Sequence, residues 1–310
     1  MDKNVKILLF GTGAVGSFYG SILARGGAAV SAVCRSDYDI VKDRGIEIKS
    51  INGDFHFSPH KVFRSASECD ESYDYIIVAL KALPQVDTVS IIKDAVSENT
   101  SIVLLQNGIN IEEPVAAAFP ENEIISVLAF ICVTRIDYGL IDHQDHGRVA
   151  LGTYPGGISA KAGKLSDIFK QGGVSADAVE DVIAARWQKL MWNAPFNPLS
   201  VISGGADTRT MLGSDIFTEL IKDVMKEVAD LSIADGHPLD YKMIDTTVNN
   251  TYKMTPYKTS MLLDYENRRP MEVEVILGNA VKIGEKYGLN IPRLKTLYSI
   301  LSFMDMENLK

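Results

Sequence analysis

The chain has 310 residues, of which 46% are hydrophobic and 23% are charged, so its composition is that of a globular protein rather than of a disordered or low-complexity chain. Forty Asp and Glu residues against 31 Lys and Arg residues give a formal net charge of −9, which argues against a nucleic-acid surface and a polybasic membrane patch. The length favours about two domains.

The sequence predicts neither a membrane anchor nor an oxidising compartment. It contains no run of about 18 uncharged apolar residues, and the run Ile7–Phe10 is too short for the core of a signal peptide. The three cysteines, Cys34, Cys69 and Cys132, form no CxxC spacing and cannot all pair with one another. A reducing cytoplasm is the simplest interpretation.

The first half of the chain alternates short apolar runs with helix-like stretches, which is typical of a mostly parallel sheet with helices on both faces. The predicted strands are Lys6–Phe10, Ala29–Val33, Tyr75–Ala79, Ser101–Leu105 and Ile124–Ala129. The predicted crossover helices are Ala14–Arg25, Val86–Val96 and Ile111–Phe119. A hairpin is predicted from Gly139 to Gly152, with its turn at His143–Gly147, and should close the sheet with antiparallel edge strands.

The second half is dominated by long segments with apolar residues at three- and four-residue spacing, which predicts helices. These segments are Asp181–Trp192, Asp215–Ala234, Tyr241–Asn250 and Met271–Tyr287. We therefore predict an N-terminal domain over residues 1–178 and an all-helical domain over residues 179–310.

A glycine-rich turn directly follows the first predicted strand and opens the first predicted helix. Its residues are Gly11, Thr12, Gly13, Ala14, Val15 and Gly16. In this context Gly11 makes the tight turn, Gly13 lets a pyrophosphate approach the backbone, and Gly16 lets the helix pack on the strand. The motif predicts a doubly wound, Rossmann-type sheet that binds a dinucleotide through these six residues; the alternative is an ordinary glycine-rich turn.

Polar residues follow three of the predicted strands. Arg35 follows the second strand, where NAD-binding proteins carry an acidic residue for the ribose, so it suits the 2′-phosphate of NADP; a solvated loop arginine is the alternative. Lys81 and Asn107 follow the next two strands, where ligands bind in open α/β sheets. We expect both to face the cofactor or substrate, and simple turn residues are the alternative.

A polar stripe opens the helical half. Lys189, Asn193 and Asn197 are spaced i, i+4 and i+8, so they would line one face of a helix, in a segment rich in Trp and Phe. A solvated face is the alternative. Pro195 lies inside this segment and predicts a kink or a loosened turn there. Glu272 opens a later apolar helix, where a carboxylate by itself indicates only helix capping.

Taken together, these motifs resemble the ketopantoate reductases (2-dehydropantoate 2-reductases). The resemblance runs in order through GTGAVG, LKAL, QNG, WQKLMWNAPFNPL, TSMLLD and MEVEVILG, and so covers essentially the whole chain. One segment departs from the family: where its members often have a further substrate-contacting asparagine, this sequence has Gly204-Gly205-Ala206-Asp207.

The resemblance implies hydride transfer from NADPH to the ketone of 2-dehydropantoate, giving (R)-pantoate. It assigns proton donation to Lys189, and support of both substrate and cofactor to Glu272. The residues that it implies for substrate binding are Asn107, Asn193, Asn197 and Ser260. Arg35 and Lys81 are implied to bind NADPH, together with Asn107, Glu272 and the glycine turn.

The chemistry agrees with this assignment, because a lysine can both stabilise the charge that develops on the carbonyl oxygen and release a proton to it. No metal is required, and His143 and His146 are expected on the surface, in the predicted hairpin turn. Two alternatives stay open: a reductase of another small 2-oxo acid on the same fold, and a non-catalytic NADP-sensing protein. The expected partner is a small 2-oxo acid, with neither nucleic acid nor membrane; the sequence leaves a homodimer open.

Overall fold

The computed structural model describes residues 5–310, so the first four residues of the predicted N-terminal domain lie outside the described residues. The chain divides into two compact units. The sheet unit runs up to Lys81 and continues at Val86–Gln106 and Ile111–Val182. The helical unit consists of Ala82–Gln85, Asn107–Asn110 and Ile183–Lys310. The predicted α/β class, with a sheet followed by an all-helical region, is confirmed; the boundary after residue 178 stays a prediction.

Strands of the sheet unit form one sheet in the order β4-β3-β9-β8-β7-β6-β1-β2-β5, with β10 paired to β9. Their bounds are β1 Lys6–Phe10, β2 Ala29–Val33, β3 Ile46–Ser50, β4 Phe55–Phe57, β5 Val62–Phe63, β6 Tyr75–Val78, β7 Ser101–Leu104, β8 Ile124–Asp137, β9 Leu140–Thr153 and β10 Ala176–Ala178. The central strands β2, β1, β6, β7 and β8 are parallel. They are apolar on both faces, as strands covered by helices on both sides must be.

Helices of the sheet unit are α1 Ala14–Arg25, α2 Tyr38–Arg44, α3 Thr88–Ile92, α4 Glu113–Ala118 and α5 Ala160–Gln171. Two short 3₁₀ turns, Ala66–Glu68 and Lys93–Ala95, complete it. Strand β1 lies between β2 and β6, so the chain leaves β1 at the point where the strand order reverses. Ligands of open α/β sheets bind at the carboxyl ends of the strands at such a point.

The predicted hairpin turn at His143–Gly147 is wrong. β8 and β9 form one long antiparallel pair whose turn lies at Tyr138–Gly139, and His143–Gly147 falls within β9. The register of this pair shifts beside residues 131 and 146, so the positive φ of His146 (64°) and Gly147 (124°) belongs to a β-bulge. Polar residues and a glycine mark bulges as well as turns.

The expectation that His143 lies on the surface is also wrong. Its side chain is buried and its ring packs on Phe18, with 4.4 Å between the ring centroids. The two ring nitrogens lie within hydrogen-bond distance of Ser50 Oγ (2.9 Å) and the His146 carbonyl (3.0 Å). His146 itself is exposed, as predicted.

The helical unit contains α6 Val182–Ile202, α7 Thr208–Leu212, α8 Asp215–Ala234, α9 Lys242–Lys253, α10 Ser260–Glu266, α11 Asn279–Lys286 and α12 Pro292–Asn308. A π-helical segment, Glu274–Gly278, precedes α11. The unit has its own core, in which Trp187 is fully buried and donates its indole N–H to Asp235 Oδ2 at 3.2 Å.

Two segments of the helical unit depart strongly from their predicted bounds, whereas α9 (Lys242–Lys253) is only slightly displaced from the predicted Tyr241–Asn250. The helix predicted to end at Trp192 is α6, which continues to Ile202 with Pro195 and Pro198 inside it. The predicted helix Met271–Tyr287 begins with the π-helical segment, and Glu272 lies just before its first helical residue. No helix within residues 5–310 combines the length and the apolar character that a bilayer crossing requires.

Packing of α1 against α5 depends on two glycines whose backbones touch the other helix. A Cβ atom at Gly172 would lie 2.1 Å from the Ile22 carbonyl oxygen, and one at Gly26 would lie 2.1 Å from the Ile168 carbonyl oxygen. Gly163, inside α5, has open space where its Cβ would be. Gly163, inside α5, and Gly172, at its C-terminal end, therefore provide a matched pair of positions for an alanine substitution.

We predict that Gly172→Ala lowers the free energy of unfolding by about 2 to 3 kcal/mol, because a methyl group must push a backbone carbonyl away. Gly163→Ala should raise it by about 0.5 to 1 kcal/mol, since alanine favours the helix. Urea denaturation monitored by circular dichroism measures both. A Gly172→Ala variant as stable as the Gly163→Ala variant would contradict the close packing of α1 on α5.

Candidate active site

The glycine turn joins β1 to α1 in the sheet unit. Gly11 has a φ of +97°, and a Cβ there would lie 3.0 Å from the Ala79 carbonyl oxygen. A Cβ at Gly16 would lie 2.0 Å from the Gly11 carbonyl oxygen. At Gly13, the N-cap of α1, nothing lies within 4 Å of the added atom. The turn therefore combines tight packing at its two ends with open space in the middle, where a phosphate could approach backbone N–H groups.

A buried carboxylate that the sequence reasoning did not assign holds this turn. The Thr12 hydroxyl donates to Asp37 Oδ2 at 2.5 Å, and both residues are buried. Ser17 Oγ donates to the Thr12 carbonyl at 2.9 Å. Asp37 follows Arg35 by two positions, so a carboxylate does lie near the end of β2. Its Oδ2 atom, however, accepts the hydrogen bond from the Thr12 hydroxyl of the glycine turn.

Arg35 is exposed directly after β2, next to the buried Cys34. Burial raises the pKa of the Cys34 thiol to about 12, so this thiol stays protonated and is a poor nucleophile. A second cation, Arg64, follows the neighbouring strand β5; its guanidinium lies 3.8 Å from the centroid of the Tyr38 ring and pairs with Asp39 at 2.8 Å. Lys81 is half-buried, three residues beyond the end of β6.

Three predicted residues meet in the helical unit around one carboxamide. Lys189 Nζ donates to Asn107 Oδ1 at 2.7 Å, and Asn107 Nδ2 donates to Glu272 Oε2 at 3.0 Å. The other oxygen of Glu272 accepts the backbone N–H of Ala82 at 3.0 Å. Lys189, Asn107 and Glu272 are all half-buried. The arrangement holds an ammonium group at a fixed point, two hydrogen bonds away from a carboxylate.

Asn193 and Asn197 follow Lys189 on the same face of α6, and both are buried. The Asn197 side-chain oxygen, Oδ1, is buried and has no hydrogen-bond partner. A buried polar atom without a partner costs about 1 to 3 kcal/mol, so a hydrogen-bond donor from a ligand would be favoured there. Beside this face, the rings of Trp192 and Phe196 stack with 4.9 Å between their centroids.

Ser260 is exposed as the first residue of α10. Thr259 before it is buried, and Thr259 Oγ1 accepts the backbone N–H of Leu262 at 3.2 Å. Thr259 Oγ1 also lies 2.6 Å from Ser200 Oγ, which donates to the Asn197 carbonyl at 2.8 Å. A chain of two buried hydroxyls thus links the backbone of Asn197 to the helix end that carries Ser260.

The segment that departs from the family pattern has a structural use. Asp207 is the N-cap of α7 and accepts the backbone N–H of Thr210 at 2.7 Å. This backbone hydrogen bond lowers the pKa of the Asp207 carboxyl. Because its carboxylate is committed to the helix end, Asp207 does not replace the missing asparagine.

The structure thus separates the predicted site residues into two sets. The sheet unit carries the glycine turn, Arg35 and Lys81, whereas the helical unit carries Asn107, Lys189, Asn193, Asn197, Ser260 and Glu272. Within residues 5–310, no three His, Cys, Asp or Glu side chains are grouped so that they could hold a metal ion.

Comparison with known proteins relates the whole chain to one family. The family described as Ketopantoate reductase PanE/ApbA matches residues 7–156, and its counterpart, Ketopantoate reductase PanE/ApbA C terminal, matches residues 181–305. A 2-dehydropantoate 2-reductase from Nostoc sp. is 33% identical over 309 residues, which cover 98% of this chain and 96% of that protein.

Solved structures agree with this relationship. The crystal structure of 2-dehydropantoate 2-reductase from Methylococcus capsulatus is 47% identical, with a TM-score of 0.93 over 99% of this chain and 98% of that one. A ternary structure of D-mandelate dehydrogenase with NADH and anilino(oxo)acetate has a TM-score of 0.90 over 98% of this chain and 99% of that one, but at 21% identity it shares only the fold. The chain belongs to the ketopantoate reductase family.

Proposed function

We propose that this chain is an NADPH-dependent reductase that converts 2-dehydropantoate to (R)-pantoate. The observation that carries the proposal is the hydrogen-bonded set of Lys189, Asn107 and Glu272. An ammonium group held by a neutral amide, close to buried asparagines, suits the reduction of a ketone that carries other polar groups. The relatives from Nostoc and Methylococcus are named 2-dehydropantoate 2-reductases, which supports the same activity.

The glycine turn and the end of β2 are the proposed NADPH site. The open space at Gly13 would admit the pyrophosphate, and no acidic residue lies in the first turn of α1 to repel it. Arg35, exposed after β2, would pair with the 2′-phosphate, and Arg64, whose guanidinium also pairs with Asp39, follows the adjacent strand. Lys81 would contact the cofactor from the end of β6. NADPH, when bound, supplies the hydride to the ketone carbon.

Lys189 is the proposed proton donor. As negative charge develops on the ketone oxygen, the ammonium group stabilises it and then transfers a proton to it. Asn107 keeps the ammonium in position by accepting one of its hydrogen bonds, and Glu272 keeps the carboxamide in position by accepting from its NH₂ group.

Asn193, Asn197 and Ser260 are the proposed substrate-binding residues. Ser260 is exposed and would bond the carboxylate. The unpartnered Asn197 Oδ1 is an acceptor, so it would take a hydrogen bond from the substrate hydroxyl rather than contact the carboxylate. The partly buried Trp192, whose ring stacks on the buried Phe196, would provide an apolar surface for the branched carbon.

We also propose that the protein works in the cytoplasm, on a small 2-oxo acid. The cysteines Cys34, Cys69 and Cys132 are free thiols, as is usual in a reducing compartment. Burial raises the pKa of Cys132 to about 12 and that of Cys69 to about 11, so none of the three would act as a thiolate at neutral pH.

Arg35→Ala should lower kcat/KM for NADPH by about 10- to 100-fold while changing kcat/KM for NADH by less than about threefold, because only NADPH carries the phosphate that a guanidinium pairs with. Arg44→Ala is the matched control, since it removes the same charge from an exposed position at the end of α2. Steady-state oxidation of both cofactors measures the effect. An equal loss of kcat/KM for NADPH and NADH would show that Arg35 does not discriminate between the two cofactors.

Lys189→Ala should lower kcat by about 100-fold or more while leaving the Kd of NADPH nearly unchanged, because the lost ammonium acts on the substrate oxygen. Lys189→Arg should recover part of the loss, since it keeps the charge but releases no proton. Lys226→Ala, on the exposed surface of α8, controls for charge alone. Near-normal turnover of Lys189→Ala with 2-dehydropantoate would exclude Lys189 as the proton donor.

Removal of the substrate hydroxyl should lower kcat/KM far more than removal of a methyl group, because the buried Asn197 oxygen would then have no donor. We expect kcat/KM to fall on the order of 10³-fold for 3,3-dimethyl-2-oxobutanoate, but only about 10-fold for 4-hydroxy-3-methyl-2-oxobutanoate. In Asn197→Leu, kcat/KM should be nearly equal for the acids with and without the hydroxyl. Equal efficiency in the wild-type protein would instead indicate a reductase of generic branched 2-oxo acids, and no turnover of any 2-oxo acid would favour an NADP-sensing protein.

A further inference from the structure

The segment Asn107–Asn110 has no regular secondary structure, although it carries the carboxamide at the centre of the proposed site. A loop without internal hydrogen bonds takes its conformation from the groups that its backbone contacts. In the helical unit, those contacts come mainly from the π-helical segment and from the residue that follows it.

The segment docks on the π-helical turn through backbone atoms. The N–H of Ile109 donates to the Val275 carbonyl at 3.0 Å. Gly108 has a φ of +99°, and a Cβ there would lie 2.5 Å from Val275 Cβ, so only glycine permits this close approach. π-Helical turns are frequent at functional sites. Here the turn receives the backbone immediately after Asn107.

Asn279 completes this contact from the first residue of α11. Its Nδ2 donates to the Ile109 carbonyl at 2.7 Å, so the peptide groups on both sides of Ile109 are held. Ile109 is fully buried and packs in the core of the helical unit. The side chain of Asn279 is half-buried, and its partner lies 170 residues away in the sequence.

We propose that Asn279 is a positioning residue for the reduction: by holding the Ile109 carbonyl, it fixes the backbone from which Asn107 reaches Lys189 and Glu272. The inference rests on the proposed function of Lys189. A hydrogen-bond donor is required at this position, because the Ile109 carbonyl oxygen that it faces can only accept. The substitution Asn279→Asp would bring a carboxylate oxygen within hydrogen-bond distance of another acceptor, and the two would repel each other.

Arg186 also holds the segment, since its Nη1 donates to the Gly108 carbonyl at 3.0 Å. However, Arg186 is buried in α6, so its replacement would disturb the fold as well as the segment. Asn279 is the better test position, because removal of its amide leaves no buried charge behind.

The kinetic test compares Asn279→Ala, Asn279→Asp and the control Asn122→Ala. Asn122 Nδ2 donates to the Ser97 and Thr100 carbonyls, both at 2.9 Å, so the control loses the same kind of bond within the sheet unit. We expect both Asn279 variants to lower kcat for 2-dehydropantoate by about 10- to 100-fold, with the KM for NADPH within about twofold of wild type. The control should keep its kcat. A normal kcat in Asn279→Ala would overturn the inference.

A double-mutant comparison separates positioning from a general loss of structure. If Asn279 acts through Asn107, Asn107→Ala/Asn279→Ala should be no slower than Asn107→Ala alone, since the carboxamide to be positioned is already absent. Multiplicative losses in kcat would overturn the inference, because they would show that Asn279 acts independently of Asn107.

A spectroscopic readout makes the inference testable without turnover. In protein labelled with ¹⁵N-asparagine, the side-chain amide signal of Asn107 is assigned from its loss in Asn107→Asp. Asn279→Ala should shift or broaden this signal, and Asn122→Ala should leave it unchanged. An unmoved signal in Asn279→Ala overturns the inference whatever the substrate is. A wild-type chain that reduces no 2-oxo acid would instead refute the proposed function, and the signal alone would then decide whether Asn279 positions Asn107.

Discussion

The direction of one carboxamide determines the candidate active site. A primary amide has a donor group on one side and an acceptor oxygen on the other, and Asn107 turns its donor to Glu272 and its acceptor to Lys189. In the reverse orientation the NH₂ group would face the ammonium and the oxygen would face the carboxylate, and both contacts would be repulsive. The Glu272 carboxylate therefore fixes the orientation of the Asn107 amide, and the amide oxygen fixes the position of the Lys189 ammonium group. The backbone N–H of Ala82 donates to the second oxygen of Glu272 and so holds the carboxylate in place.

Local patterns were sufficient for the elements that open the fold. The predicted strands Lys6–Phe10 and Ala29–Val33 and the predicted helix Ala14–Arg25 have the predicted bounds, because each is an apolar or amphipathic run bounded by glycine or polar residues. The long β8–β9 pair was not predictable in this way. Its pairing is set by residues far apart in the sequence, and the polar run His143–Gly147 gives the same local signal in a bulge as in a turn.

The site shows the same division between local and distant information. Helical spacing alone predicts that Lys189, Asn193 and Asn197 share a face, which α6 provides. Nothing local relates Asn107 to Glu272, since 165 residues separate them; only the family resemblance grouped them. Asp37 and Asn279 were missed altogether. Asp37 bonds a threonine hydroxyl and Asn279 bonds a backbone carbonyl, and these partners leave no recognisable sequence motif.

The helix α6 leaves several hydrogen-bond acceptors without their usual donors. Pro195 and Pro198 have no N–H, so the carbonyls of Met191 and Ala194 lack their α-helical donors, although the helix continues through both prolines. Asn197 adds a buried side-chain oxygen without a partner. By helical spacing, the face of Lys189, Asn193 and Asn197 does not include Met191 and Ala194. The Asn197 oxygen does lie on that face, and there it favours a ligand that brings a donor, because an unmatched buried acceptor keeps its desolvation penalty. A 2-oxo acid offers only acceptors, whereas one that also carries a hydroxyl offers a donor. The buried Asn197 oxygen thus supports, independently of the lysine, the proposed preference for a hydroxylated acid over an unsubstituted one.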